Sequence, residues 1–493
     1  MKKGFNNKQY VAKQSKKIKE KIKQFDKLYL EFGGKLFDDY HASRVLPGFE
    51  PDSKIKMLAE LKDITEIVIC INAGDIERKK MRADYGITYD MEVLRLIDAF
   101  KGLGLEVNSV VITLYQGQPG ATKFKEQLER RNVKTYIHTP TKGYPTDVDV
   151  IVSNEGYGAS AYIETTKPLV VVTAPGPASG KLATCLSQLY HEHRHGIKAG
   201  YAKYETFPVW DIPLKHPLNV AYEAATADLK DVNMIDSFHL DTYGIPAVNY
   251  NRDLEVFPVL KAILYKITGT DIYHSPTDMG VNMIGSCIDD DELVIKASKQ
   301  EIIRRYYKAI CDAKTGNGEK ETARRIKVLM NELEIDPKQE RPIISVANEK
   351  SKCEDLPVIA LALPNGQIVT GKKTDLLSPA SSLILNAIKA LTNIPDEVFL
   401  LSPSVLEPIL NLKPNIGQMS QSLSLQEVLI ALSICSVTNP IIEKALCNLK
   451  QLKGCEAHAS FMVYNGDLNA LRQLKINLTC EPIFYSNNLF MND

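Results

Sequence analysis

Pro168-Leu-Val-Val-Val-Thr-Ala-Pro-Gly-Pro-Ala-Ser-Gly-Lys-Leu-Ala-Thr-Cys-Leu-Ser-Gln-Leu-Tyr-His-Glu-His-Arg-His-Gly196 is the stretch from which the class of fold can be read. A β-branched run, Leu169 to Thr173, meets a Gly/Pro loop, Ala174 to Lys181, and an amphipathic helical pattern follows. That order aims backbone N–H groups and a helix dipole at one anion, and Lys181 adds a point charge. Gly176, Ser179, Gly180 and Lys181 are therefore the expected phosphate-binding residues. The loop departs from Gly-x-x-x-x-Gly-Lys-[Ser/Thr]: Pro175 stands where glycine is needed, Leu182 replaces the hydroxyl, and Gly176 leaves the loop one residue short. Ser179 is the nearest substitute for the missing magnesium ligand, because Thr184, one turn on, points away from a phosphate held at the loop. The cofactor expected is ATP or another nucleotide with Mg²⁺. Two alternatives stay open: a phosphate, sugar phosphate or carboxylate bound without metal, or a connection that needs glycine only for tight packing.

On the N-terminal side the same alternation recurs. Glu66–Asn72, Val107–Leu114, Lys134–His138 and Val148–Ser153 read as strands, and Met91–Gly102 and Ala121–Arg131 as helices. Alternating strands and helices predict an α/β domain over residues 1–217, a mostly parallel, P-loop-like or Rossmann-like sheet with helices on both faces. Ligands of such sheets sit beyond the carboxyl ends of the strands. Asp75, Glu77, Arg78, the turn at residues 116–120, Glu155 and the Gly176–Lys181 loop are expected to converge there, with Asp75 and Glu155 as metal or base candidates. Leu28–Phe32 is a strand-like start broken at Gly33-Gly34, and the polar loop beyond it offers Lys35 and Asp38 as substrate contacts. Residues 201–217, with the single Trp210, read as an irregular connector.

Residues 218–335 turn helical, as a middle domain, before a charged, proline-marked linker at 334–342. Residues 343–493 read as an α+β domain. It opens with a hairpin around Asn365-Gly366, and its helices are announced by Ser378-Pro379, the Ser424/Glu427 capping box and Asn439-Pro440.

Composition bounds the function. The 493 residues carry 60 basic and 60 acidic side chains, so no global field favours nucleic acid or a membrane. Nine lysines between Lys2 and Lys23 interleave with Tyr10, Val11, Ile18 and Ile22 at helical spacing, the pattern of a solvated amphipathic helix; no continuous apolar segment follows, as a signal peptide would require. No window approaches the ~20 apolar residues of a spanning helix. Nine scattered cysteines without a secretory signal suit free thiols in a reducing cytoplasm.

Three polar constellations compete with the loop. His191-Glu-His-Arg-His195 satisfies the His-Glu-x-x-His pattern of zinc peptidases. Leu182, Leu186 and Leu189, however, define an apolar face that leaves His191 and His195 outside and His193 against the core. His239-x-Asp241 has the composition of a metal site or of a base with its orienting carboxylate, and Asn249 and Arg252 nearby are candidate substrate contacts. Cys455-x-x-His458 with Cys480 supplies three ligands where a structural zinc site normally has four.

Several segments together resemble one family: residues 32–41, Arg82–Asp90, Ala174–Lys181, Phe207-Pro-Val-Trp210 and Asn249-Tyr-Asn-Arg-Asp253. The resemblance, spanning nearly the whole chain, is to the bacterial family known as domain of unknown function 1846, or uncharacterised protein family 0371. It implies an N-terminal α/β domain, a helical middle and an α+β C-terminal domain in a cytoplasmic protein, and no particular activity.

The reading that follows is a nucleotide- or phosphometabolite-binding enzyme, a phosphoryl or nucleotidyl transferase or a ligase. Its catalytic candidates are Asp75, Glu155, His239 and Asp241. The expected partner is a small phosphorylated or anionic ligand, not nucleic acid or membrane, and a homo-oligomer is compatible. The alternatives are a metal-dependent hydrolase using His191/His195 or His239/Asp241, and a non-catalytic oligomeric binding protein.

Overall fold

The computed structural model describes residues 3–82, 86–417 and 422–486. The chain divides into two compact units, Met1–Ser298 and Lys299–Asp493. In the first, seven strands form one sheet: β1 Lys27–Phe32, β2 Thr65–Asn72, β3 Glu106–Thr113, β4 Thr135–Ile137, β5 Leu169–Thr173, β6 Ala199–Tyr204 and β7 Gly280–Val281. Their order is β7-β6-β1-β5-β2-β3-β4, and every neighbouring pair is parallel. Strand β5 thus sits between β1 and β2. From β5 the chain moves on toward β6, and from β2 it moves the other way toward β3, so a topological switch point lies among the carboxyl ends of β1, β5 and β2.

Successive strand residues face opposite sides, and both sides are covered, as an all-parallel sheet requires. Leu30, Ile69, Ile112 and Val171 pack against α1 (Asn7–Ile22), α2 (Tyr89–Gly102) and α3 (Pro119–Glu129), which contribute Ile18, Val93 and Phe124. Val68, Val111, Val170 and Val172 pack against α4 (Lys181–Arg194) and α5 (Asn251–Thr268), which contribute Leu186, Leu189, Phe257 and Leu264. The lysine-rich N-terminus is α1 itself: Tyr10, Gln14 and Ile18 are buried at four-residue spacing while most of its lysines stay in solvent.

Two expectations are corrected. Val148–Ser153, read as a strand, holds a one-turn helix, Val148–Ile151, whose first turn is capped when Asp147 Oδ1 accepts from Val150 N at 3.0 Å. Its β-branched and aliphatic residues favour a strand, yet only Ile151 is fully buried, and the cap decides the local geometry. The residue 201–217 connector begins later than expected, because Ala199–Tyr204 is an inner strand paired to β1 and β7. Ala-Gly-Tyr-Ala-Lys-Tyr lacks the β-branched residues that announce strands. Its glycine is required by Phe25, whose ring occupies the space a Gly200 Cβ would take.

Residues 217–332 are mainly helical, with Pro217–Ala225, Ser237–Tyr243, α5, α6 (Asp291–Thr315) and α7 (Lys320–Glu332). A small antiparallel pair, Asn233–Ile235 with Val248–Tyr250, lies among them.

The second unit has a mixed sheet. Strands β8 (Val358–Ala362), β9 (Ile368–Lys372), β10 (Glu456–Ala459) and β11 (Asn477–Cys480) run in the order β9-β8-β10-β11. The β8–β9 hairpin turns at Asn365-Gly366, where Gly366 has φ +86°. Helices α8 (Pro379–Thr392), α9 (Leu425–Ser436) and α10 (Pro440–Cys447) start at Ser378, Ser424 and Asn439, and each of these caps accepts a backbone N–H, Ser424 within a capping box with Glu427. Among the described residues no helix is long and apolar enough to cross a membrane.

Candidate active site at the carboxyl edge of the parallel sheet

Residues 174–180 lie over three strand ends. Asn72 Nδ2, at the end of β2, donates to the Ala178 carbonyl at 3.1 Å, and Thr113 Oγ1, at the end of β3, donates to the Ser179 carbonyl at 2.8 Å. Two residues are in the left-handed region, Ala178 at φ +55° and Gly180 at φ +79°. For a residue with a Cβ this conformation is costly, and it turns successive N–H groups the same way, as in anion-binding nests. Among the described residues no acceptor meets the N–H groups of Gly180, Lys181, Leu182 and Ala183 at the start of α4. The buried Ser179 hydroxyl also has no hydrogen-bond partner among them. Both glycines have packing reasons as well: Tyr89 fills the place of a Gly176 Cβ, and a Gly180 Cβ would lie 2.8 Å from Thr113 Cβ.

Lys181 does not simply face solvent. Its side chain is 14% exposed and its Nζ lies 3.9 Å from Glu31 Oε1. Glu31 is the last inward residue of β1 on the α4/α5 face and pairs in register with Lys203 of β6. It accepts a hydrogen bond from Tyr201 Oη at 2.8 Å. Lys203 is held between two carboxylates, Glu205 Oε1 at 2.5 Å and Asp253 Oδ2 at 2.6 Å, the latter in the first turn of α5. A charged layer therefore caps the apolar core at the sheet's carboxyl edge, between the N-termini of α4 and α5. Burial pushes the Glu205 carboxyl up to about 7, with Lys203 opposing and Asp253 and Glu31 assisting. Burial alone would lower the Lys203 ammonium, but Asp253, Glu205 and Glu31 hold it well above its ordinary value.

A full-length comparison identifies the relatives of this chain. The sequence model described as domain of unknown function DUF1846, N-terminal, matches residues 3–334, and its C-terminal counterpart matches residues 339–490. The chain belongs to the DUF1846 family. A UPF0371 protein of Clostridioides difficile (strain 630) is 57% identical over 499 residues, covering 99% of this chain and all of that protein. UPF0371 proteins of Clostridium tetani and of Clostridium botulinum (strain Eklund 17B) are 56% and 57% identical over 503 residues, covering both chains completely.

Several segments that carry the DUF1846 resemblance meet at this edge. Tyr89, from Arg82–Asp90, seals the Gly176 loop, and Asp253, from Asn249–Asp253, grips Lys203; residues 83–85 lie outside the described residues. The other predicted residues are distributed unevenly. Asp75 does reach the carboxyl edge, but its buried carboxylate is engaged by Arg78 and by Lys80 at 3.4 Å. Glu155 does not join it. With the preceding strand absent, its 68% exposed side chain pairs with Lys142, and its neighbour Asn154 accepts from Tyr190 Oη at 3.0 Å, at the far end of α4 and so at the opposite edge of the sheet. Arg252 pairs with the buried Asp231 at 2.6 Å, and buried Asn249 turns its Oδ1 to Tyr250 N. Lys35 is exposed and Asp38 half-buried in the loop after β1, where the buried carboxylate is Asp39, ion-paired to Lys54 at 2.7 Å.

The histidine constellations dissolve. Glu192, not His193, is the residue that α4 turns inward; it is fully buried and takes Lys27 Nζ and Tyr29 Oη, each at 2.7 Å. The leucine spacing places the inward face one residue too far along. His191 Nε2 donates to Ser160 O at 2.9 Å and His193 Nδ1 to Leu189 O at 2.9 Å, so neither meets Glu192. His239 and Asp241 also part: Asp241 is exposed, while His239 Nδ1 contacts Ser275 Oγ at 3.0 Å and lies 3.8 Å from Asp278. Among the described residues no group of three or more His, Cys, Asp or Glu side chains is arranged to hold a metal ion. All nine cysteines are free.

Sequence reasoning missed Glu31, Lys203 and Glu205. Lys203-x-Glu205 does carry the period-two signal of one strand face, but only once Ala199–Tyr204 is recognised as a strand.

Proposed function

We propose that the first unit is a cytoplasmic enzyme that binds a small phosphorylated metabolite or nucleotide, with the phosphoryl group on the loop at 176–181. The supporting observation is the set of unpaired N–H groups at residues 180–183 beside the unpartnered Ser179 hydroxyl, at a switch point of a parallel sheet. Lys181 supplies charge, and Glu31 beside it sets which anions are tolerated. In this reading Ser179 is also the hydroxyl available to a magnesium ion arriving with a nucleotide, and transfer of a phosphoryl or nucleotidyl group is the chemistry favoured.

Calorimetric titration of inorganic phosphate and ATP into the full-length protein and into Lys181→Ala tests this. Binding by the wild type that weakens at least about tenfold in the variant is expected, one point charge on phosphate being worth ~1.4 kcal/mol or more. No binding by the wild type, or equal binding by both, overturns it.

A further inference from the structure

The charged layer beside the loop holds more carboxylate than the fold's needs explain. An ion pair that merely closes a core edge needs one acid and one base; here Lys203 carries both Glu205 and Asp253, and Glu31 stands on the neighbouring strand. Glu205 is buried, whereas Lys203 and Asp253 are part-exposed, so the layer reaches solvent through those two side chains. It is connected to the loop through the Glu31–Lys181 approach at 3.9 Å. A buried acid held among other charges at a sheet's carboxyl edge, where ligands of such folds sit, is a candidate for chemistry on one of them.

We propose that Glu205 is the proton-transfer residue of this charged layer, exchanging a proton with an acidic O–H or C–H of the ligand whose phosphoryl end lies on the 176–181 loop. The inference rests on the phosphate-binding reading and deepens it. In the forward direction the Glu205 carboxylate takes the proton and becomes the neutral acid, while the electron pair stays on the ligand oxygen or carbon, where the Lys203 ammonium offsets it. The reverse step returns the proton. The titratable groups that interact with Glu205 are Lys203 of β6, Asp253 of α5, Glu31 of β1, Tyr222 of the Pro217–Ala225 helix and Tyr250 before α5, with Asp231 acting on the same two tyrosines. Burial, with Asp253 and Glu31 assisting, raises the carboxyl toward neutrality, the direction that suits a general acid–base group.

The test is a carboxyl-¹³C NMR titration of full-length protein with labelled glutamate, without and with sulfate, an anion that does not itself titrate near neutrality. One glutamate carboxyl is expected to change state near neutral pH, to vanish from the spectrum of Glu205→Gln, and to shift its midpoint upward when sulfate occupies the loop of the wild type but not of Lys181→Ala. Should Glu205→Gln fail to fold, Asp253→Asn serves: its part-exposed side chain tolerates the change, and removing its charge lowers the same midpoint. Absence of a neutral-titrating carboxyl overturns the inference and leaves the phosphate reading standing. A midpoint indifferent to sulfate that calorimetry shows to be bound separates Glu205 from the loop and likewise overturns it. Calorimetry that detects neither phosphate nor sulfate sinks the phosphate reading, and the inference falls with it.

Discussion

Glycine 180 concentrates two requirements in one residue. Its φ of +79° is in the region where a Cβ costs about 1–2 kcal/mol, and the added methyl would press on Thr113 Cβ at 2.8 Å. Gly180→Ala is expected to destabilise the protein by about 2 kcal/mol in urea unfolding and to weaken phosphate binding, because the loop must shift to relieve the contact. Stability equal to wild type would mean that the left-handed turn is not needed. Gly176 teaches a complementary lesson: it sits under the Tyr89 ring, so the sequence motif that suggests a phosphate cradle is partly a packing motif. Both roles require the absence of a side chain, and sequence alone cannot separate them. Glu205 illustrates the opposite case. Its local sequence offers only the Lys203-x-Glu205 spacing, because the rest of its surroundings, Asp253 and Glu31, come from a helix and another strand.

Among the elements, α4 is tied to the sheet by a buried ion pair. Lys27 on β1 and Glu192 in its last turn meet at 2.7 Å with both side chains nearly inaccessible. Removing one partner strands the other's charge in the core, at a cost of about 3–5 kcal/mol. Lys27→Met should therefore unfold at markedly lower denaturant, and Lys27→Met combined with Glu192→Leu should recover much of the loss; a double variant no better than the single one would refute this account. The same pair explains why the His-Glu-x-x-His string misleads, since its glutamate is spent on a lysine 165 residues away. In the second unit the signals are local and so are readable: the Ser424/Glu427 capping box forms as its residues suggest. Ser424→Ala should cost ~1 kcal/mol by thermal unfolding.

For the whole molecule, two buried groups bend the stability–pH curve in opposite directions. His138, buried at the end of β4 with Nε2 donating to Ala161 O at 2.9 Å, is pushed by burial down to about 4. Its unfolded form takes up a proton first, so stability is lost as pH falls from about 6.5 toward 4, by at most about 3 kcal/mol. Glu205 has its folded value above its unfolded one, so the folded form binds the extra proton and stability falls as pH rises from about 4.5 to about 7. Urea midpoints measured across this range should show His138→Gln losing less stability on acidification than the wild type, and Glu205→Gln losing less on alkalinisation. Parallel curves for all three proteins would rule out both contributions.

Read along the chain, the residues specify whatever depends on near neighbours: the β-branched run at Leu169–Thr173, the helix that follows Gly180, the Asn365-Gly366 hairpin and the capped helices of the second unit. Propensity, periodicity and capping act over a few residues, so they are legible in order. Two elements escape such a reading for the same reason. Ala199–Tyr204 is a strand because β1 and β7 offer hydrogen bonds on both sides and Phe25 fills the space over Gly200, not because its residues prefer extension. Val148–Ile151 is a helix because Asp147 caps it and no sheet edge receives it. The loop of the candidate site is legible in the sequence, but the charged layer beside it is a product of tertiary folding alone. Folding brings Glu31, Lys181, Lys203, Glu205 and Asp253 together, leaves Glu155 at the opposite edge, and turns Glu192 into the core. Charges interact through space at a few ångströms, and in this chain those few ångströms join Glu31 to Lys181 and Lys203 to Asp253.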